Sequence, residues 1–447
     1  DHTGPVAEAE ANTARTFGAD HSFYVVNGTS TSNKIIWHAY VTRDDLVLVD
    51  RNCHKSILHA IIMTGAIPIY LSGSRNDYGI IGPIARDAFS AESLQQLIEQ
   101  HPLVDDSSKR IKLAVLTNST YDGLCYNTDM IKSQLHDSVD VLHFDEAWFG
   151  YAAFHPFYHG RHGMSEPAEA PRTKHALVFA TQSPHKVLAA LSQASIILAK
   201  NSAEQQLDHE RFNEAYMMHT STSPHYGMIA SIDVATGMMA GPAGRSLVQE
   251  TLDEALSFRR AMQQTAEQMA EEEWWFDVWE PEASLAQAEL QATDWTLDDQ
   301  AEWHGFGKMS SDFAMLDPIK VSLLTPGVEE KGRLAKSGIP AALVTRFLAE
   351  RGLVVEKTGL YSFLILFSLG ITKGKWSTLL SELREFKRLY DQDSPLEVTL
   401  PSLARHPSYQ SLGLRALGER LHQCYKKHSL IKLMRQMYTT LPQISLR

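Results

Sequence analysis

At five places in the sequence, reactive side chains directly follow a short apolar run. "YVV" is followed by Asn27, Gly28, Thr29, Ser30 and Thr31, and "LVLVD" by Asn52, Cys53, His54 and Lys55. "LAVLT" leads into Asn118, Ser119 and Thr120, "VLHF" into Asp145, Glu146, Ala147 and Trp148, and "LVFAT" into Ser183, His185 and Lys186. Each type has a chemical use. "NGTSTS" entering a helix offers free backbone N–H groups and hydroxyls, which together cradle a phosphate. An acid at the end of a buried strand needs a partner, and a protonated ring nitrogen is one. An imidazole can stack on an aromatic ligand, and an amine can condense with a carbonyl. Each also has a plainer reading: a Ser/Thr helix cap, an Asp paired with Arg or Lys, a structural His, a solvated Lys. The combination carries more than any member. An amine, an acid behind an apolar strand and a phosphate cradle, in this chain order, are what a pyridoxal phosphate enzyme requires.

These residues need a scaffold that brings strand ends together. "DLVLVD", "IPIYL", "IKLAVLT", "VDVLHFD" and "HALVFAT" are nearly continuous apolar runs separated by helical or turn-rich stretches. Continuous apolarity predicts strands buried on both faces, as in a parallel sheet covered by helices. The βαβα rhythm predicts an open α/β domain, whose ligands sit beyond the carboxyl ends of the strands. "SPHKVLAALSQAS" reads as a helix rich in Ala and Ser, with Lys186 at its mouth. Leu247, Leu252, Leu256 and Met262 share one face of a long amphipathic helix from about residue 246. The acidic stretch 280–302 reads as a surface loop or insertion. "DPIKVSLLTPG", "GLVVEKTG" and "SFLILFSLG" predict strands of a second, α+β unit, with helices near 339–351 and 375–390. "GPAG" near residue 240 places the boundary, giving a large unit 1–240 and a smaller unit 241–447.

Composition narrows the class. The chain has 447 residues, of which 44% are hydrophobic and 21% charged, and a net charge of −12. That balance argues against nucleic-acid or anionic-membrane partners. No apolar run reaches the roughly 18 residues that span a bilayer. Cys53, Cys125 and Cys424 form no CxxC, so a thiolate metal site is not indicated and a reducing, cytoplasmic setting fits. Cys53 and Cys125 read as packing residues. The chain opens without Met on a polar, acidic stretch, which reads as a segment of a longer polypeptide.

The motifs "DHTGP", "FGAD", "NGTSTSNK", "DRNCHKS", "TNSTYDGLCYN", "HFDEAW", "SPHKVLAALSQAS", "FNEAYMMHTSTSPHYG", "LDPIKV" and "GLVVEKTGLYSFLILFSLGITKGKW" run through nearly the whole chain. In them the chain resembles the bacterial ornithine/lysine/arginine decarboxylases, and most of all the lysine decarboxylases. These are pyridoxal phosphate enzymes of the aspartate-aminotransferase fold, fold type I. The resemblance implies that Lys186 binds the cofactor covalently, Asp145 meets its ring nitrogen, and His54 and Ala147 lie on its two faces. It implies Thr29, Ser30 and Ser183 at the phosphate and His185 beside the reacting carbon. Ser221 would reach the phosphate of a neighbouring subunit, making the site a property of a homodimer. Glu356 would meet the distal cation of a basic amino acid, lysine before arginine or ornithine. Departures from the family pattern stand out: Pro184 replaces the usual Thr, and Ile196, Ile197 and Leu198 replace the usual Met-Ile-His. The family's N-terminal wing, linker and further C-terminal chain are expected to have no counterpart in this segment. Two other readings remain, another fold-type-I transferase and a non-catalytic relative that keeps the fold.

Overall fold

The computed structural model describes residues 2–166, 173–281 and 290–440. In chain order the first part runs α1 (Gly4–Phe17), β1 (His21–Val25), α2 (Thr29–Tyr40), β2 (Leu46–Asp50), α3 (Lys55–Thr64), β3 (Ile67–Leu71), α4 (Ala91–Glu99) and β4 (Ile111–Thr117). It continues with β5 (Leu124–Tyr126), α5 (Thr128–Leu135), β6 (Val139–Asp145), β7 (Leu177–Gln182), α6 (Pro184–Val187), β8 (Ser195–Lys200), α7 (His209–His219) and α8 (Tyr226–Met239).

Seven of these strands form one sheet in the order β1-β8-β7-β6-β4-β2-β3. The run β3-β2-β4-β6-β7 is parallel, and β8 lies antiparallel to both β7 and β1. This is the mostly parallel sheet that the apolar runs predict. Both faces are buried. Phe23, Val47, Val115 and Phe179 pack with Ile35 of α2 and Ile57 of α3 on one side, while Tyr24, Leu48, Leu142 and Leu198 belong to the larger core on the other. Register then does the positioning. Thr117 pairs with Asp145, and Asp145 with Thr181, so three polar residues stand in a row where the apolar runs end.

One expectation is overturned here. Lys186 does not open an Ala/Ser-rich helix: α6 is a single turn of four residues, and Ser195–Lys200 is a fully buried strand. Ala and Ser in 189–195 are compatible with either state, and the decision falls to "SIILA", whose β-branched and apolar side chains fill the sheet interior between β7 and β1.

The second part begins with α9 (Pro242–Gln268), which meets α8 at Gly241, whose φ of 64° lies in the left-handed region. Leu252, Leu256 and Met262 are buried along it, with Leu247 partly so. β9 (Asp277–Val278), β10 (Thr296–Leu297), β11 (Ala314–Leu316) and β12 (Lys320–Leu324) follow, then the hairpin β13 (Val328–Glu329) and β14 (Arg333–Leu334). Next come α10 (Ala341–Glu350), β15 (Lys357–Thr358), β16 (Ser362–Leu366), α11 (Lys373–Asp391), α12 (Leu396–Thr399), α13 (Pro401–Ala404), α14 (Leu414–Lys427) and α15 (Leu430–Thr440). Strands β15-β16-β12-β9 make an antiparallel sheet, while β11 bridges back to β5 of the first part. "GLVVEKTG" thus contributes only a two-residue edge strand. Within 280–302, residues 282–289 lie outside the described residues, and the remainder is not a simple surface loop, because Trp295 is completely buried.

Candidate active site

The phosphate end is built from α2. Gly28 has φ 78°, a conformation that side chains resist, and it turns the chain from β1 into a helix with no side-chain cap. Thr31 N and Ser32 N bond the Gly28 carbonyl, so the N–H groups of Thr29 and Ser30 are the ones presented to an anion, with the positive end of the helix dipole behind them. Hydroxyls surround them. Thr29 Oγ1 lies 2.6 Å from Ser183 Oγ and 2.8 Å from Ser195 Oγ, and Ser195 donates to the Gln182 carbonyl at 2.9 Å. Gly28 N donates to the Gln193 carbonyl at 2.8 Å, so the loop after α6 closes over the same place. Pro184 sits at the first position of α6, where its missing N–H leaves no intrahelical bond unmade.

The acid end follows from register. Asp145 closes β6 and is 5% exposed. Its Oδ1 accepts from Ala147 N at 3.2 Å, and its Oδ2 accepts from Asn33 Nδ2 at 3.0 Å. His54, just before α3, accepts from Ser56 N at Nδ1, which places its ring proton on Nε2. Burial pushes its pKa down, opposed by the Asp145 charge, and the neutral ring faces the same cavity as the acid. Ala147 supplies another small wall of that cavity.

Lys186 stands between two spaces. It lines the cavity of about 570 Å³ that also holds Thr29, Ser30, Asp145, Ser183 and His185, and a second one of about 630 Å³ bounded by Glu356, Ile365 and Trp376. Its Nζ lies 4.2 Å from the centroid of the Trp148 ring. Burial lowers its pKa, while Asp145 and then Glu356 pull it up, so both carboxylates act on this one amine. His185 Nδ1 donates to the Ala194 carbonyl at 2.6 Å, leaving Nε2 as the free ring nitrogen; burial lowers this pKa as well. Ser221 is not brought here: it is exposed between α7 and α8 and accepts from Ser223 N.

Three participants escape the strand-end reading. Asn33 sits inside α2 with both neighbours polar, and nothing in its sequence context marks it. Ser195 becomes part of the hydroxyl cluster only because β8 is a strand. Tyr121, from "NSTYDG", packs on Trp148 with ring centroids 5.4 Å apart and lines the same cavity. Cys53 packs against the core on the α2 and α3 side of the sheet and also lines the cavity, and burial raises its pKa.

The residues present fit pyridoxal phosphate. An uncapped helix start ringed by hydroxyls suits a phosphate, an acceptor-only carboxylate suits a ring N–H, and a half-buried amine suits an aldehyde. His54 and Ala147 supply side chains for the ring faces.

Comparison with known proteins agrees. Residues 1–375 match the family model described as Orn/Lys/Arg decarboxylase, major domain. Lysine decarboxylase LdcA of Pseudomonas aeruginosa is 59% identical over 100% of this chain, and the chain spans 59% of that protein. The biodegradative arginine decarboxylase of Escherichia coli is 43% identical over 99% of this chain and 61% of its own length. The solved structure of lysine decarboxylase A from Pseudomonas aeruginosa superposes with a TM-score of 0.96, covering 100% of this chain and 60% of that one. The fold is that of the fold-type-I pyridoxal phosphate enzymes, and the chain belongs to the Orn/Lys/Arg decarboxylase family.

Proposed function

We propose that the protein of which this chain is a part decarboxylates a basic amino acid, L-lysine first, with pyridoxal phosphate bound at Lys186. The observation that carries this reading is the place of Lys186, shared by a cavity ending at Asp145 and the α2 start and by another holding Glu356. When bound, pyridoxal phosphate supplies an aldehyde that takes up amines and a conjugated ring that takes up an electron pair. The chain's own groups do the rest. Burial keeps more of the Lys186 amine unprotonated and nucleophilic. Asp145 holds a proton at the ring nitrogen, and that positive charge favours uptake of the electron pair left when CO2 departs. His54 and Ala147 hold the ring plane. Thr29, Ser30 and Ser183 hold the phosphate. Nζ of Lys186, or Nε2 of His185 once it has taken up a proton, is the candidate for returning a proton to the α-carbon. Trp148, Ile365 and Trp376 give the space beside the amine an apolar wall.

Glu356 gives the preference for a cation at the far end of the substrate. Lysine is favoured because the relative at 59% identity is named a lysine decarboxylase, whereas the arginine decarboxylase stands at 43%. We further infer a homodimer in which Ser221 completes the neighbour's phosphate site, a division into units 1–240 and 241–447, and a cytoplasmic setting, which three unpaired cysteines fit. No helix among the described residues is long and apolar enough to cross a membrane. The test is CO2 release from lysine, arginine and ornithine in parallel, with absorbance of the bound cofactor recorded alongside. Lysine should be fastest, and Lys186→Ala should abolish both turnover and the yellow colour. A coloured Lys186→Ala protein overturns the cofactor site, and faster release from arginine or ornithine overturns the substrate.

A further inference from the structure

Behind Asp145 lies a chain of buried polar groups whose hydrogen-bond directions can be worked out from one end. An ionised Asp145 can only accept, so the Asn33 group at its Oδ2, 3.0 Å away, is the amide N–H. The other N–H of the same amide reaches Ser56 Oγ at 2.9 Å. Asn33 Oδ1 then faces Thr181, whose hydroxyl donates to it at 2.8 Å. With its proton committed, Thr181 Oγ1 accepts from His143 Nε2 at 3.1 Å. On the other branch Ser56, accepting from Asn33, gives its own proton to His54 Nδ1 at 2.9 Å. Asn33, Ser56, His143 and Thr181 are each at most 1% exposed, so no solvent competes for these bonds.

The tertiary structure makes this hub. His143 and Asp145 lie two apart on β6 and so point to one face of the sheet, Thr181 is the register partner of Asp145 on β7, and α2 crosses that face. Asn33 bonds directly to the acid expected at the ring nitrogen and, through Ser56, reaches the imidazole expected on the ring face.

We propose that Asn33 is a positioning residue for both Asp145 and His54, and that the Thr181 hydroxyl, backed by His143, fixes which way its amide points. The inference rests on the proposed cofactor site. With the amide held, Oδ2 of Asp145 keeps an N–H donor and the carboxylate stays aimed, and His54 keeps its proton on Nε2. With the amide free to turn, its carbonyl faces the carboxylate, the repulsion turns the acid away, and the ring nitrogen loses its counter-charge.

The decisive variant is Thr181→Val, which keeps shape and removes the hydroxyl, with Thr181→Ser as the conservative control. Thr181→Val should lower kcat about tenfold or more with little change in KM. It should also shift the pH profile of the bound cofactor's absorbance and weaken cofactor binding, measured by fluorescence titration of the cofactor-free protein. Thr181→Ser should restore all three. Asn33→Asp, which puts a second carboxylate against Asp145, should move the absorbance profile further than Thr181→Val. A Thr181→Val protein with wild-type absorbance profile and kcat overturns the proposal, and so does a Thr181→Ser protein as impaired as Thr181→Val. If the wild-type protein itself takes up no cofactor, the proposed site fails, and this inference falls with it; a coloured wild type with an unaltered Thr181→Val fails the inference alone.

Discussion

At Asp145 the sequence shows an acid after an apolar run, and the fold explains how a carboxylate survives there: Ala147 N and Asn33 Nδ2 each donate to it. Asp145→Asn keeps the shape and removes the charge. We expect it to bind cofactor but lose at least ~100-fold in kcat, read by steady-state CO2 release; near-normal rates would remove the charge from the mechanism. His143 on the same strand makes a stability prediction. Burial holds its pKa down at about 3, against 6.5 for an ordinary imidazole. The unfolded chain therefore binds a proton below about pH 6.5 that the folded chain refuses. Stability from this residue is complete above pH 6.5 and drains as pH falls toward 3, by up to about 1.4 kcal/mol per unit. His143→Gln should narrow the gap between urea midpoints measured at pH 7 and pH 5. Asp145 was legible in the sequence because it ends an apolar strand, and His54, Ser183 and Lys186 because they stand within four residues of one. Asn33 was not, since a mid-helix Asn carries no local mark of the acid it meets 112 positions later.

Among the elements, the long apolar strands and the amphipathic α9 announced themselves by periodicity, and they formed where expected. The stretch after Lys186 did not. Residues 188–194 have weak preferences, and pairing of β8 with β7 and β1 decides their fate, a contact that no local pattern encodes. The joint between α8 and α9 is equally tight. Gly244 lies so close to Met239 that a Cβ would overlap its carbonyl oxygen. Gly244→Ala should cost about 1–3 kcal/mol, seen as a lower thermal midpoint, because backbone must move rather than a flexible side-chain tip. An unchanged midpoint would show that the joint has slack.

For the whole molecule, the proposed dimer makes a prediction about Ser221. Ser221 is exposed in its own chain and does not line its own cavity. The neighbouring α8 leaves Tyr226 70% and Val234 60% exposed, an apolar surface suited to a second copy. If each site draws Lys186 from one chain and Ser221 from the other, a Lys186→Ala chain mixed and refolded with a Ser221→Glu chain should regain activity that neither has alone. Failure of the mixture, with dimers confirmed by light scattering, would confine Ser221 to a local role.

The sequence by itself determined the parallel strands of the main sheet, the order of the reactive residues along them and, through the motifs, the family. Hydrophobic periodicity and strand-end chemistry are local properties, written within a few residues of each other. Only the tertiary structure decided that β8 is a strand, that Glu356 and Asp145 act on the same amine, and that Asn33 joins Asp145 to His54. Those depend on register and on the crossing of α2 over the sheet, where distances of 3 Å join residues more than a hundred positions apart.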